Sequence, residues 1–408
     1  MWLYNLGISL YAGGIRLAAL WHGKARLWSE GRRNIFERME AAVRPSDRIV
    51  WVHAASLGEF EQARPIIERL RAEHPEYKIL LTFFSPSGYE IRKNYEGADY
   101  VFYLPADTPS NARRFLDIVH PEIAIFIKYE FWINLLSELR RRKVRSYIVS
   151  AIFRRNSVFF RPYGAMWRQA LETFDTLFVQ NVESKRLLSE IGFDNVVVAG
   201  DTRFDRVAQI AAAAQRVETI ERFRGGGRLF VAGSTWGPDE EILLPLVNAN
   251  PDVKFVIAPH EMDEGRIAHL MRNAKGGAVR YTQCDAATRF DDVQVLVLDT
   301  MGMLSSVYGS ATWAYGGGFG VGIHNTLEAA TFGLPIAFGP NYGKFKEARD
   351  MVSLGCAVSV RTAGELAAWF APLRDDEETL RRASRTAKDY TARNQGATGI
   401  ILRSIFNS

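Results

Sequence analysis

Twelve short apolar runs set the fold class of this 408-residue chain, because helix-length segments of mixed charge separate most of them. Seven fall in the first half, at residues 49–52, 79–82, 100–104, 123–127, 146–149, 176–179 and 196–199. Five more lie at 229–232, 255–258, 295–298, 311–315 and 336–338. Strands that alternate with helices predict a parallel sheet covered on both faces. The length exceeds what one ordinary core holds, and the series breaks around 206–227, where alanines at 211–214 and Gly225-Gly226-Gly227 predict a connecting helix and a link. The expectation is an α/β chain of two Rossmann-like domains whose parallel sheets face a central cleft. Its predicted parts are an N-terminal segment at 1–22, a first domain at 23–208, a linker at 209–227, a second domain at 228–385, and a C-terminal helix at 386–408 that returns to the first domain. Ligands of such sheets bind beyond the carboxyl ends of the strands.

Composition narrows the function classes. The 47% hydrophobic content fits packed domains rather than a disordered chain, and a net charge of +5 is modest for this size. The two cysteines, Cys284 and Cys356, are far apart and lack a nearby histidine at ligand spacing, which excludes a disulfide framework or zinc site and suits a reducing compartment. No metal is expected. Residues 1–21 are mostly apolar but include Asn5, Arg16 and three glycines, marginal for a spanning helix. Lys24, Arg26, Arg32 and Arg33 follow the apolar part rather than precede it, which is unlike a secretory signal. An interfacial anchor on a cytoplasmic membrane face is one reading; a buried first helix is the other.

Several strand ends carry candidate chemistry. Glu59 closes a Ser56-Leu57-Gly58-Glu59 turn after the 49–52 run, where a base would sit. The same spacing also reads as a capping box, with Glu59 bonding backbone. Pro65 predicts a helix that starts close to it, which would leave Glu59 on the loop before. Glu130 follows the 123–127 run in Lys128-Tyr129-Glu130-Phe131-Trp132-Ile133-Asn134, and pairing with Lys128 is its plain alternative. Arg203, in Gly200-Asp201-Thr202-Arg203-Phe204-Asp205, suits a bidentate carboxylate or phosphate contact or else a salt bridge. In the second half, Ser234, Thr235, His260, Met301 and Gly302 lie on loops after strands, with hydroxyls and N–H groups that suit phosphate oxygens. These converge in principle on Gly316-Gly317-Gly318-Phe319-Gly320-Val321-Gly322-Ile323-His324-Asn325-Thr326-Leu327-Glu328, which reads as strand, turn and helix start. Gly317 and Gly318 would let backbone approach a ligand; Asn325 and Glu328 match a helix cap. A tight turn with an ordinary cap is the alternative.

From Ser137 to Gln169 there are nine Lys or Arg residues, including Arg154, Arg155, Arg161 and Arg168, against one acid, Glu138. Phe153, Phe159, Phe160, Tyr163 and Trp167 are interleaved. A basic aromatic surface suits an anionic membrane or phosphorylated lipid, or RNA; the apolar N-terminus favours the membrane and argues against nucleic acid.

Taken in order, these segments resemble the Kdo (3-deoxy-D-manno-octulosonic acid) transferases of lipopolysaccharide assembly. The resemblance runs over nearly the whole chain: Trp51 to Glu59, Glu130 to Asn134, Gly200 to Asp205, Ala232 to Thr235, Asp299 to Gly302, Gly317-Gly318, and Gly322 to Glu328. It implies a GT-B glycosyltransferase, membrane-associated on the cytoplasmic side of the inner membrane, that moves Kdo with inversion from CMP-Kdo to a lipid A precursor of the lipid IVA type and needs no cofactor. Glu59 matches the family's general base and Glu130 its second essential acid, while Asn325 and Glu328 match residues that hold the nucleotide. The chain departs from the usual pattern at Pro259 (often Arg), Trp236 (often His), Met303 (often Glu) and Arg203 (often Lys). A UDP-sugar transferase of the same fold and a silent membrane-binding module are the alternatives.

Overall fold

The computed structural model describes residues 1–320 and 322–407; Val321, in the glycine-rich turn, and Ser408 lie outside the described residues. The chain divides into two units, Met1–Arg206 joined by the chain from Gln395 onward, and Val207–Asn394.

The first unit holds seven strands: β1 (Ile49–Ala54), β2 (Lys78–Phe83), β3 (Tyr100–Tyr103), β4 (Ile123–Ile127), β5 (Arg145–Ala151), β6 (Thr176–Val179) and β7 (Val196–Val198). They pair in parallel in the order β3-β2-β1-β4-β5-β6-β7. Side chains of β1 alternate between two cores, Ile49 and Trp51 on one face, Val50, Val52 and Ala54 on the other. Burial on both faces explains why these strands read as continuous apolar runs. The helix Ala397–Phe406 packs Ile401, Leu402 and Ile405 into the second of those cores. Asp205 holds its start, accepting the N–H groups of Gly396 and Thr398 at 2.6 and 2.7 Å and the Thr398 hydroxyl at 2.6 Å.

The second unit holds β8 (Leu229–Thr235), β9 (Lys254–Pro259), β10 (Ala278–Arg280), β11 (Val295–Val297), β12 (Trp313–Tyr315), β13 (Ile336–Phe338) and β14 (Ala357–Ser359). Again all pairs are parallel, in the order β10-β11-β9-β8-β12-β13-β14. The two strands that apolar runs did not announce, β10 and β14, are three-residue edge strands with half-buried positions. Within the 209–227 stretch, the helix Glu218–Arg224 buries Ile220 and Phe223 in this unit's core.

The N-terminal helix, Trp2–Ala18, buries no residue fully, which corrects the buried-helix reading. Tyr4, Asn5, Ile8, Ala12 and Ile15 form its half-covered face. Leu3, Leu6, Leu10 and Leu17 recur at helical spacing on the other face and are exposed, Leu3 and Leu10 by 73% and 67%. Among the described residues no helix is long and apolar enough to cross a membrane.

Candidate active site

The strand order turns from one side of the sheet to the other between β1 and β4 in the first sheet and between β8 and β12 in the second. Such a switch point opens a crevice at the strands' carboxyl ends. Both sets of candidate residues lie at these points.

In the first unit β1 runs directly into the helix Leu57–Glu73. Glu59 therefore stands in the helix's first turn, not on a loop before it, and Pro65 is buried inside the helix. An interior proline costs about 3 kcal/mol, but Phe60 and Ala63 just before it are fully buried, and burying one Phe contributes about 1.5–3 kcal/mol. Packing decides the start. No capping box forms with Ser56, whose side chain makes no cap; instead Glu59 Oε2 accepts the Ala55 N–H at 2.6 Å. Burial raises the Glu59 carboxyl above the ordinary glutamate value, the Glu130 charge raises it further, and His53, the Ala55 N–H and Lys128 oppose them. A carboxylate held partly out of water with an elevated proton affinity is suited to taking a proton.

Glu130 follows β4, after Lys128 at a positive φ of 62°. Its Oε2 meets Trp132 Nε1 at 2.8 Å and His53 Nε2 at 3.2 Å. Behind them, Thr82 Oγ1 lies 2.8 Å from both Trp51 Nε1 and His53 Nδ1. Trp51 can only donate, so the Thr82 hydroxyl accepts there and has its proton free for His53 Nδ1. The tautomer that fits these contacts carries its proton on Nε2, where it donates to Glu130. Glu130 thus has two ring donors. In the sequence His53 and Trp132 stand within quoted motifs and Thr82 ends the 79–82 run, none of them with a role. Their signal was position, since His53 and Thr82 are buried polar residues near the carboxyl ends of adjacent strands.

The remaining first-unit candidates are more committed than expected. Arg203 reaches Asp201 Oδ2 with its Nε at 2.9 Å and its Nη2 at 2.8 Å, the salt-bridge alternative. Part of the basic stretch is neutralised by acids outside the window counted: Arg140 pairs with Glu172, Arg142 with Asp117, and Arg155 with Glu190 at 2.9 Å. Glu138 takes Arg141 and Arg142 and is drawn down to about 2 by their hydrogen bonds. Phe153 and Phe159 are core residues, which corrects the surface reading for those two, and Arg168 bonds the carbonyls of Phe159 and Arg161; Phe160 and Trp167 are half-buried and Tyr163 is exposed. Arg154 lies close enough to Tyr129 to lower its proton affinity against burial.

In the second unit Ser234, next to last in β8, has a positive φ of 53°, and Asn325 Nδ2 donates to its hydroxyl at 3.1 Å. Asn325 and Glu328 form no capping box: Asn325 makes no side-chain cap, and Glu328 Oε2 accepts from Ser305 at 2.8 Å. Thr235 is fully buried and gives its hydroxyl to Glu240 at 2.9 Å, so it is turned into the protein. Gly317 and Gly318 have φ of 63° and 126°, and a Cβ on them would stand 2.7 Å from the Ser234 carbonyl and 2.5 Å from the Gly339 nitrogen. The glycines are needed first for the turn to lie on the chain's own strand ends. His260 stacks between Trp236 and His324, with ring centroids 4.6 and 5.0 Å away. Trp236 Nε1 and His324 Nε2 are buried without a hydrogen-bond partner, and burial, with His260 beside it, lowers the His324 proton affinity. Met301 is 77% exposed beside Gly302, whose φ is 84°.

These arrangements have relatives. A family model described as 3-deoxy-D-manno-octulosonic-acid transferase (kdotransferase) matches residues 32–206. The 3-deoxy-D-manno-octulosonic acid transferase of Haemophilus influenzae is 25% identical over 88% of this chain and 86% of its own. That of Bordetella pertussis is 28% identical over 87% and 86%, and that of Aquifex aeolicus 26% identical over 78% and 83%. Among solved structures, UDP-GlcNAc 2-epimerase from Neisseria meningitidis superposes with a TM-score of 0.63 at 16% identity, covering 88% of this chain and all of that one. MurG from Acinetobacter baumannii superposes with 0.56 at 13%, covering 89% and all of its chain. At those identities the structures speak for the fold, which is of the GT-B type. With that fold, and relatives of one kind along most of its length, the chain is similar to the 3-deoxy-D-manno-octulosonic acid transferases.

Proposed function

We propose that this protein transfers Kdo from CMP-Kdo to a sugar hydroxyl of a lipid A precursor, with inversion at the anomeric carbon. Glu59 takes the hydroxyl proton as the acceptor oxygen bonds that carbon, and the bond to the CMP phosphate oxygen breaks with its electron pair leaving on CMP. Glu130, held by His53 and Trp132, keeps the Glu59 proton affinity high. Ser234, Asn325, Glu328 and the 317–318 turn hold the nucleotide, with neutral donors at the leaving phosphate. The observation that carries this reading is the half-buried Glu59 carboxylate at the β1–β4 switch point, raised by burial and by a second fixed carboxylate. Raised carboxylates at strand ends mark acid–base sites more often than structural ones.

The exposed leucine face of the N-terminal helix supports a peripheral seat on a membrane, because a soluble surface seldom shows such a stripe. The expected location is the cytoplasmic face of the inner membrane, where the acceptor would be. Purified protein given CMP-Kdo and a tetraacylated lipid A precursor should yield lipid heavier by whole Kdo units on mass spectrometry. A UDP-sugar transferase would instead be stabilised by UDP and not by CMP in a thermal shift assay, since a ligand stabilises only the state it binds. That result, with no Kdo-bearing product, would overturn the proposal.

A further inference from the structure

The outer face of the N-terminal helix looks away from the protein, but its inner face reaches the Glu130 cluster by two separate routes. The first is a stack of rings. Tyr11 lies on Phe84 with centroids 6.1 Å apart and planes 21° from parallel, and Phe84 packs on Trp132 at 4.6 Å. Trp132 is the donor that meets Glu130 at 2.8 Å. Arg32 holds Phe84 from behind: it donates to the carbonyls of Phe84 and Leu104 at 2.8 Å each, and its guanidinium lies 3.9 Å from the Trp28 ring centre and 5.0 Å from that of Phe84. Burial pulls this guanidinium down to about 9. Such a cost is tolerated where a cation closes an aromatic cage.

The second route is made of hydrogen bonds. The helix Ile133–Arg142 starts three residues after Glu130, and Trp132 provides no side-chain cap for it. The buried Asp107 does that work, accepting the N–H groups of Asn134 and Leu135 at 2.9 Å each. Tyr4 donates its hydroxyl to the same carboxylate at 2.6 Å and accepts the Ile133 N–H at 3.3 Å. Asn5 Oδ1 accepts from Asn134 Nδ2 at 2.9 Å. The backbone just after Glu130 is thereby tied to the first turns of the N-terminal helix.

We infer that the N-terminal helix is a positioning element for the Glu130–His53–Trp132 cluster, with Tyr4 and Tyr11 as its positioning residues. The inference rests on the reading of that cluster as part of the reaction site. Loss of a fixed donor on Glu130 changes its orientation and its charge coupling to Glu59, so the helix sets the rate as well as the location. A helix that served only as a membrane anchor would need the leucine face alone, and Tyr4 and Asn5 would be free to be apolar.

The test uses the full chain with CMP-Kdo and detergent-dispersed lipid A precursor. Tyr4→Phe and Tyr11→Ala should each lower kcat about five- to tenfold, the size of one lost hydrogen bond or ring contact felt at the transition state. The KM for CMP-Kdo should stay as in wild type. Tyr11→Phe keeps the ring and should restore kcat. Hydrogen exchange by mass spectrometry should show faster exchange over residues 131–135 in Tyr4→Phe, while binding to phosphatidylglycerol-containing vesicles is unchanged. A kcat per folded enzyme equal to wild type, or a defect confined to vesicle binding and the lipid KM, would overturn the inference. The exchange readout needs no turnover. If wild type fails to transfer Kdo, the functional reading falls, and unchanged exchange at 131–135 would separately refute the positioning role.

Discussion

The two switch points of this molecule have the same architecture and opposite chemistry. At the β1–β4 point burial and the Glu130 charge raise the proton affinity of Glu59, and the groups around the two carboxylates are tied together: Thr82 to His53, His53 and Trp132 to Glu130, Ala55 to Glu59. At the β8–β12 point the fixed groups are hydroxyls, an amide and stacked rings beside the Glu328 carboxylate, which accepts from Ser305, and two ring nitrogens are left without partners. A site that must move a proton needs charge stored against solvation, whereas one that must hold an anion needs donors kept available. The difference separates reaction from binding.

The largest expected break in that comparison is Glu59→Gln. Its amide oxygen still accepts the Ala55 N–H, so nucleotide-induced thermal stabilisation should stay as in wild type while turnover falls by about 10²–10⁴-fold, the usual contribution of a general base. The variant should also melt no lower than wild type. A carboxyl whose proton affinity is raised by folding is favoured in its protonated form, so its contribution to stability is present at low pH and is lost as pH rises through its folded value. At neutral pH the neutral amide removes that cost. Next in size is Gly318→Ala, where the new Cβ would meet Gly339 backbone and a φ of 126° strains any side chain. A cost of about 1–3 kcal/mol should appear as a lower melting temperature and weaker CMP binding by calorimetry. Smallest is Asn325→Ala, which releases the Ser234 hydroxyl; CMP affinity should drop about fivefold, with turnover at saturating donor near wild type.

The strand–helix alternation was legible because both sheets are buried on both faces, which makes their strands plain apolar runs. The positions of Glu59 and Glu130 were legible too, as acids just past such runs. What surrounds them was not. Pro65 argued for a later helix start, and the burial of Phe60 overrode it. The basic stretch was judged on neighbours in sequence, but Glu172 and Glu190 reach it only through the fold. Asn325 and Glu328 had the spacing of a cap, yet bond Ser234 in β8 and Ser305 in the helix Leu304–Tyr308. Local spacing names a residue's options, and tertiary contacts choose among them.

The central claim is that Glu59 accepts the proton and that Glu130 sets how readily it does so. The most direct test is the pH dependence of kcat/KM for Kdo transfer in wild type and in Glu130→Gln. Because the base must be unprotonated, the rate should fall as pH drops through the Glu59 value, and that fall should begin above the ordinary glutamate range. In Glu130→Gln the neighbouring charge is gone, and the fall should move to lower pH. An acid limb at the ordinary glutamate value, unmoved by Glu130→Gln, would contradict the account.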